Sequence, residues 1–202
     1  MKILCIGRNY VDHIQELKNE LPDSMVIFLK PHTALHDNAE PWFLPNFSQD
    51  VQYECEVVLK ISKKGKNIKL EEAETYFDEI SLGIDFTARD IQSELKAKGL
   101  PWEKAKAFDS AALIGNFVPK ASYDLYNLNF QLLKNGEIAQ SGHTNQMIHT
   151  FQNIITEVSK YFSLEIGDLI FTGTPAGVAA IQTGDHFIGK LESSKLFEFT
   201  VS

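Results

Sequence analysis

The sequence has little cysteine and no long apolar run, and both absences narrow its class. Its two cysteines, Cys5 and Cys55, lie singly inside apolar stretches and do not form the pattern of a disulfide framework. Isolated thiols favour a reducing compartment, so we expect a cytoplasmic protein. The apolar run at residues 1–6 is shorter than a signal-peptide core, and no window approaches the roughly 20 apolar residues that cross a bilayer. We therefore expect no membrane partner.

A basic surplus is also missing. The formal net charge is -8, which argues against a nucleic-acid partner because nothing is available to neutralise phosphates. The chain has no Gly-x-Ser-x-Gly elbow of a serine hydrolase, no Walker loop and no dinucleotide fingerprint. With 44% hydrophobic and 23% charged residues it has the composition of an ordinary globular protein. We expect residues 1–202 to form a single domain, with two small domains as the alternative.

Strand and helix patterns are intermixed without regular βαβ alternation, which predicts an α+β fold. Asn9 is a candidate N-cap for the first helix, and Asn135-Gly136 predicts a β-hairpin. The aromatic residues between positions 32 and 50 predict a long irregular loop that is ordered and packs. Helices are predicted over residues 10–17, 70–76, 87–98 and 147–162, and strands over residues 1–6, 27–29, 51–59, 80–86, 128–132 and 169–172.

Glu54 and Glu56 stand two residues apart on the predicted strand 51–59. Side chains alternate along a strand, so both carboxylates project from one face while Cys55 projects from the other. At ~4 Å and an effective dielectric near 20, two such charges repel by ~4 kcal/mol. A bound cation, a shared proton or a solvated face would each relieve the repulsion, and the strand pattern alone leaves all three open.

Asp85 is the lone acid that closes the apolar run at residues 80–84. Together with Glu54 and Glu56 it makes three carboxylates without a matching cluster of histidines or cysteines. Oxygen ligands suit a hard cation such as Mg²⁺ or Mn²⁺, whereas Zn²⁺ prefers nitrogen or sulfur. The alternative is that each acid merely decorates a strand end.

His13 and Glu16 lie three residues apart on the first predicted helix and therefore share a face. A glutamate that accepts from one imidazole nitrogen fixes the tautomer and leaves the other nitrogen free as a base. A solvated His–Glu pair on a surface helix is the alternative reading.

A Gly-Thr-Pro-Ala-Gly turn at residues 173–177 follows the predicted strand 169–172. Its backbone N–H groups and the Thr174 hydroxyl could hold an anion such as a substrate carboxylate, although a plain turn has the same sequence. Arg89, Gln92 and Lys106 are each weak signals by themselves, because arginine and lysine are usually surface residues.

Eight short segments occur in a fixed order along nearly the whole chain. They are GRNYVDH at 7–13, FLKP at 28–31, YECE at 53–56, DFTARD at 85–90, GLPW at 99–102, KAFD at 106–109, NGE at 135–137 and GDLIFTGTP at 167–175. In this order they closely resemble the fumarylacetoacetate hydrolase family, in particular its short branch of acylpyruvate hydrolases and oxaloacetate decarboxylases. The resemblance implies a mixed β-sheet roll with flanking short helices, usually assembled as a homodimer.

The resemblance also implies roles for individual residues. Glu54, Glu56 and Asp85 would bind Mg²⁺ or Mn²⁺. His13 and Glu16 would form the general-base dyad, on a segment that closes over the site. Lys106 would support a metal-bound carboxylate and the substrate oxyanion. The substrate-binding positions would be Arg89, Gln92, Gly173 and Thr174.

The implied activity is a metal-dependent hydrolase that cleaves a C–C bond in 2,4-dioxo acids of the acylpyruvate or fumarylpyruvate type, through a metal-bound enolate. The same enolate would serve oxaloacetate decarboxylation or the isomerisation of a 2-hydroxyhepta-2,4-diene-1,7-dioate. A non-catalytic module that binds a metal or a 2-oxo acid is a further alternative. The partner expected in each case is a small-molecule 2-oxo acid.

Overall fold

The computed structural model describes residues 1–17 and 20–202, and these residues confirm the predicted α+β class. Short 3₁₀ turns lie at His32–Ala34, Glu74–Tyr76, Lys120–Ser122 and Thr144–Gln146. The α-helices are α1 (Val11–Glu16), α2 (Leu70–Ala73), α3 (Arg89–Ala97), α4 (Glu103–Lys106) and α5 (Phe151–Tyr161). The strands are β1 (Ile3–Gly7), β2 (Val26–Lys30), β3 (Val51–Tyr53), β4 (Cys55–Ile61), β5 (Phe77–Asp85), β6 (Thr87–Ala88), β7 (Ala112–Ile114), β8 (Val118–Pro119), β9 (Asn129–Lys134), β10 (Glu137–His143), β11 (Leu169–Phe171), β12 (Ala179–Ala180), β13 (His186–Leu191) and β14 (Ser194–Thr200).

The largest sheet is mixed and carries the candidate site. Its strand order is β2-β1-β11-β4-β5-β7, and β8 also pairs with β5. β1 and β11 run parallel, whereas the other pairs in this sheet are antiparallel. A four-stranded sheet, β10-β9-β13-β14, and a three-stranded one, β12-β3-β6, complete the strand framework.

This sheet is buried on both faces. Along β1, Leu4 and Ile6 belong to the large hydrophobic core, whereas Ile3 and Cys5 belong to a smaller cluster. Such an assignment follows from the alternation of side chains along a strand. β4 repeats the pattern, because its Val58 packs in the smaller cluster while both neighbours pack in the large one. Polar groups at the ends of these strands are therefore enclosed by apolar packing.

The predicted strand 51–59 is in fact two strands, β3 and β4, which break at Glu54. The reason is pairing: β3 joins β6 and β12 in the small sheet, whereas β4 joins β5 and β11 in the large one. The same pairing shortens the predicted helix 87–98. Thr87 and Ala88 pair with β3, so the helix begins only at Arg89.

The predicted helix 147–162 begins at Phe151 and ends at Tyr161. Thr150 is its N-cap, with its hydroxyl accepting from the Asn153 backbone N–H at 3.3 Å. The expected N-cap of α1 was wrong, since Tyr10 takes that position without a side-chain hydrogen bond.

Asn9 instead acts as a buried bridge. Its amide donates to Thr172 O at 2.7 Å and to His149 O at 3.1 Å, and its carbonyl accepts from the His149 N–H at 2.7 Å. The side chain thus satisfies buried backbone groups where β1 and β11 end, and such groups need hydrogen-bond partners.

Two loop predictions are confirmed. Asn135 and Gly136 have φ of 54° and 88° and connect β9 to β10, as the Asn-Gly hairpin rule requires. The stretch at 32–50 is largely irregular but ordered by Trp42, which is buried and stacks on Phe86 with ring centroids 4.2 Å apart. No helix within residues 1–17 and 20–202 has the length and apolar character needed to cross a bilayer.

Candidate active site

The three predicted acids meet at one end of the large sheet. Carboxylate oxygens of Glu54, Glu56 and Asp85 lie within 4.8 Å of one another. Glu54 sits at the break between β3 and β4, and its carbonyl accepts the Asp85 N–H at 2.8 Å, which joins the two strand ends. The side chains are 6%, 2% and 1% exposed. A solvated face is thereby excluded as the means of relieving their repulsion.

Lys106 binds two of the three acids. Its Nζ donates to Glu54 Oε2 at 2.8 Å, to Asp85 Oδ2 at 2.9 Å and to Thr87 Oγ1 at 2.5 Å, so each N–H of the ammonium has a partner. Burial alone would lower the pKa of Lys106, but Asp85 and Glu54 outweigh it and raise the pKa. The lysine therefore stays charged, and the contact expected with the carboxylates is present.

Lys30 is a second buried cation, and sequence reasoning gave it no role. The side chain is fully buried, with Nζ 2.7 Å from Asp85 Oδ1 and hydrogen bonds to the backbone carbonyls of Ala111 (3.0 Å) and Lys106. The only sequence signal was its position at the end of an apolar strand before Pro31. A charge there needs a buried partner of opposite sign.

Arg89, the first residue of α3, holds Glu54 from the other side. Its Nη2 donates to Glu54 Oε1, its Nη1 to Gln92 Oε1 at 2.8 Å and its Nε to Gln52 Oε1 at 2.9 Å. Burial would raise the pKa of Glu54, but Lys106 and Arg89 hold that pKa well below its usual range. Glu54 is accordingly an ionised carboxylate.

Glu56 differs from the other two acids. Its Oε2 accepts the Gly173 N–H at 2.7 Å, but in the described part of the chain no side-chain cation lies within ion-pair distance of it. Burial, reinforced by Asp85 and Glu54, raises the pKa of Glu56 well above its usual range.

Two observations favour a cation at this cluster. No described side-chain cation pairs with Glu56, whose raised pKa means that ionising it is unfavourable in the protein alone. Asp85 Oδ1, 2.7 Å from Lys30 Nζ, is buried without a hydrogen bond of ordinary geometry. A divalent ion among the three carboxylates would satisfy both groups. Carboxylate oxygen is the donor type that Mg²⁺ and Mn²⁺ take.

The Gly-Thr-Pro turn is attached to the acid-bearing strand by Gln140, another residue that sequence reasoning missed. Gln140 Oε1 accepts the Cys55 N–H at 2.9 Å, and its Nε2 donates to Thr174 Oγ1 at 2.8 Å and to Pro175 O at 2.9 Å. Thr174 Oγ1 in turn donates to Cys55 O at 2.9 Å. The turn is therefore fixed beside Glu54 and Glu56, while the predicted contact between Thr174 and a substrate carboxylate stays a prediction.

His13 and Glu16 lie on α1 over the same region. His13 is buried, its Nδ1 is 3.4 Å from Glu16 Oε2, and Glu16 Oε1 accepts the Gly177 N–H at 3.0 Å. Burial lowers the pKa of His13, so the imidazole is neutral at physiological pH. A fully solvated surface pair is thus excluded, and Nε2 is the nitrogen left for chemistry.

Most of the predicted site residues share one pocket. Eight of the ten line it, and the other two, Glu16 and Gly173, contact the turn or the acids that form its wall. Lys96, Trp102 and Arg8 also line this pocket, without having been predicted. The eight are His13, Glu54, Glu56, Asp85, Arg89, Gln92, Lys106 and Thr174.

Known proteins resemble this chain along most of its length. The family model described as fumarylacetoacetate (FAA) hydrolase C-terminal matches residues 2–196. An oxaloacetate tautomerase from Bos taurus, FAHD1, mitochondrial, is 38% identical over 200 residues, covering 98% of this chain and 90% of that protein. A mitochondrial oxaloacetate decarboxylase from Dictyostelium discoideum is 42% identical over 185 residues, covering 91% of this chain and 85% of the other.

A solved structure has the same fold as this chain. The fumarylpyruvate hydrolase of Pseudomonas aeruginosa, crystallised with Mn²⁺ and pyruvate, superposes with a TM-score of 0.92 at 32% identity, covering 100% of this chain and 89% of that one. The mixed β-sheet roll expected from the motifs is thus confirmed. Together with the matched family model and the relatives above, it shows that the chain belongs to the fumarylacetoacetate hydrolase family.

Proposed function

We propose that this protein is a divalent-metal-dependent hydrolase that cleaves a C–C bond of a 2,4-dioxo acid, of the acylpyruvate or fumarylpyruvate type. The observation that carries the proposal is the buried cluster of Glu54, Glu56 and Asp85 with the neutral His13 in the same pocket. A relative named fumarylpyruvate hydrolase has the same fold, which supports the reaction class.

The three carboxylates are the residues that would hold the metal, Mg²⁺ or Mn²⁺. The metal would supply Lewis acidity toward the oxygens of a 2-oxo acid. The Mn²⁺ bound by the Pseudomonas aeruginosa relative supports this choice of ion. Lys106 and Arg89 keep Glu54 ionised, and Lys30 and Lys106 hold Asp85 in position beside it.

His13 is the base in this proposal. Its Nε2 accepts a proton from water as the water oxygen bonds to the distal carbonyl carbon of the substrate. The bond between that carbon and its neighbour then breaks, and its electron pair passes to the departing pyruvate as an enolate. Proton transfer from the imidazolium to the enolate carbon of the departing fragment, the one that was bonded to the distal carbonyl carbon, yields pyruvate and the free acid. Glu16 orients the ring through Nδ1, and Thr174 and Gln92 line the space for the substrate.

Oxaloacetate chemistry is the second candidate, and the relatives named oxaloacetate tautomerase and decarboxylase favour it. Loss of CO₂ from oxaloacetate leaves its electron pair on the same carbon of a pyruvate enolate, and no water has to be activated. Isomerisation of a 2-hydroxyhepta-2,4-diene-1,7-dioate would use the same site. We further propose that residues 1–202 act as one catalytic domain in a homodimer, and that the enzyme is cytoplasmic; the two free, buried cysteines suit a reducing compartment.

A substrate panel tests the proposal. Acetylpyruvate, fumarylpyruvate and oxaloacetate are incubated with the protein and Mg²⁺, Mn²⁺ or EDTA, and the loss of enol absorbance and the formation of pyruvate are followed. We expect metal-dependent pyruvate release from a 2,4-dioxo acid. If only oxaloacetate reacts, the second candidate replaces the first. If a metal raises the melting temperature but no 2-oxo acid is consumed, the protein is a binding module.

A further inference from the structure

The cationic side chains that line the pocket differ in how many of their N–H groups are already bonded to other protein groups. Lys106 uses its three N–H groups on Glu54, Asp85 and Thr87, and Arg89 is bound to Glu54 and to two glutamines. These two cations thus position the metal-binding carboxylates and have little capacity left for a substrate anion.

Lys96 is different. It lies on α3 seven residues after Arg89 and four after Gln92, so the three side chains share one face of the helix. It is half-buried in the pocket wall, and its ammonium stands 5.2 Å from the centre of the Trp102 ring. Within the described residues no carboxylate comes within ion-pair distance of it.

Lys98, two residues further along the chain and at the C-cap of α3, provides the contrast. It is exposed and pairs with Glu94 at 2.5 Å, one turn back. The helix therefore carries one lysine with an ordinary solvated partner and one that is turned into the pocket with an aromatic ring as its neighbour.

The surroundings of Lys96 favour an anion. Burial, together with the charges of Arg89 and Arg8, lowers the pKa of Lys96 to about 8. A cation in that position is costly while the pocket holds only protein groups, and an anionic ligand would offset the cost. The three acids are almost fully buried whereas Lys96 is only half-buried, so Lys96 lies nearer the pocket mouth.

We propose that Lys96 binds the distal carboxylate of a dicarboxylic 2-oxo acid and so makes the enzyme prefer such substrates over monocarboxylic acylpyruvates. The inference rests on the proposed function, with the 2-oxo acid end of the substrate at Glu54, Glu56 and Asp85. The Trp102 ring, 5.2 Å from the ammonium, positions it in the pocket wall, where it would meet the far end of the substrate.

Two substrates that undergo the same reaction but differ in the distal carboxylate isolate the contribution of that group to binding. Fumarylpyruvate carries the second carboxylate and acetylpyruvate lacks it. For Lys96→Met we expect KM for fumarylpyruvate to rise about tenfold to a hundredfold, which is typical of a lost charged hydrogen bond, with little change in kcat. KM for acetylpyruvate should stay within about twofold.

Two further variants act as controls. Lys96→Arg keeps the charge and should restore most of the preference. Lys98→Met removes a lysine from the same helix and should leave both substrates unaffected.

A pH series gives a readout that a merely structural role would not produce. In the wild-type protein, KM for fumarylpyruvate should rise as the pH passes about 8, where Lys96 loses its proton. Lys96→Arg should remove that rise. The charged groups around Lys96 are Arg89, Arg8, Glu54 and Lys106.

Thermal shift with Mg²⁺ present measures binding apart from turnover. Fumarylpyruvate should stabilise the wild-type protein more than acetylpyruvate does, and Lys96→Met should remove the difference. Equal changes for both substrates, or none for either, would overturn the inference and leave the proposed function standing. An absence of turnover with every substrate would refute the proposed function, while the thermal shifts would still decide whether Lys96 binds the second carboxylate.

Discussion

The two sides of the pocket are built differently. The acid floor is carried on strand ends and on the adjacent α4 and is buried throughout, and all of its residues except Glu56 are held by several polar contacts. The outer wall is carried on α1 and α3 and has fewer and longer contacts, of which the 3.4 Å separation between His13 and Glu16 is an example. The acid floor consists of Glu54, Glu56, Asp85, Lys30 and Lys106, and the outer wall of His13, Glu16 and Lys96.

This contrast separates two tasks. In the acid floor Glu54 and Asp85 are paired with buried cations away from water, which preorganises them for a metal, so breaking these pairs should affect folding as well as metal binding. Groups in the outer wall have room to adjust, so their loss should affect reaction type and substrate preference while the fold persists. Variants of the acid floor should therefore lose stability and metal binding, whereas variants of the outer wall should change catalysis in a folded protein.

Lys30→Met should give the largest loss of stability. It leaves Asp85 buried with one cation fewer, and breaking a buried ion pair costs about 3–5 kcal/mol. Lys60→Met is the matched control, because Lys60 pairs with Glu79 at 2.7 Å on a surface where both side chains are about 40% exposed; such pairs contribute about 0–1 kcal/mol. Urea denaturation of the metal-free proteins measures both. Similar free energies of unfolding for the two variants would remove the distinction between floor and wall.

His13→Ala should separate the reactions without destabilising the fold. Hydrolysis of a 2,4-dioxo acid needs an activated water, so kcat should fall at least about a hundredfold. Decarboxylation of oxaloacetate needs no such water and should fall far less. His186→Ala, which removes an exposed histidine paired with Glu198, serves as control. Equal losses in both activities would show that His13 is not a base specific to hydrolysis.

A pH profile gives the smallest expected effect. His13 acts as a base only when it is neutral, and burial lowers its pKa below the usual 6.5. The loss of activity on the acid side of the pH profile, its acid limb, should therefore begin below pH 6.5. Glu16 opposes the effect of burial, because its hydrogen bond and its charge raise the pKa of His13. Glu16→Gln should therefore move the acid limb to still lower pH and lower the plateau rate severalfold. A limb that moves to higher pH would contradict the assigned pair.

Local patterns predicted the residues that the site needs but not the partners that hold them. The alternation along a strand placed Glu54 and Glu56 together, and the three-residue spacing on a helix placed His13 beside Glu16. The partners come from far along the chain: Lys30 contacts a carbonyl 76 residues away, and Gln140 binds a backbone N–H 85 residues away. No local periodicity encodes such contacts.

The break at Glu54 shows the same limit. Residues 51–59 have a continuous strand pattern, yet β3 and β4 belong to different sheets. The break depends on the pairing of Val51 with Ala88, a tertiary contact that overrides local propensity. The consequence is functional, because it is at this break that the Glu54 carbonyl receives the Asp85 N–H.

The most direct test is the binding of Mn²⁺, measured by electron paramagnetic resonance and by calorimetric titration of the metal-free protein. The wild-type protein should bind one Mn²⁺ per chain, and Glu56→Gln and Asp85→Asn should each weaken binding by more than about a hundredfold, since even the outer partners of metal ligands contribute about 10- to 100-fold. His13→Ala should bind the ion as the wild-type protein does. A wild-type protein that binds no Mn²⁺, or variants of Glu56 and Asp85 that bind it with unchanged affinity, would contradict the account.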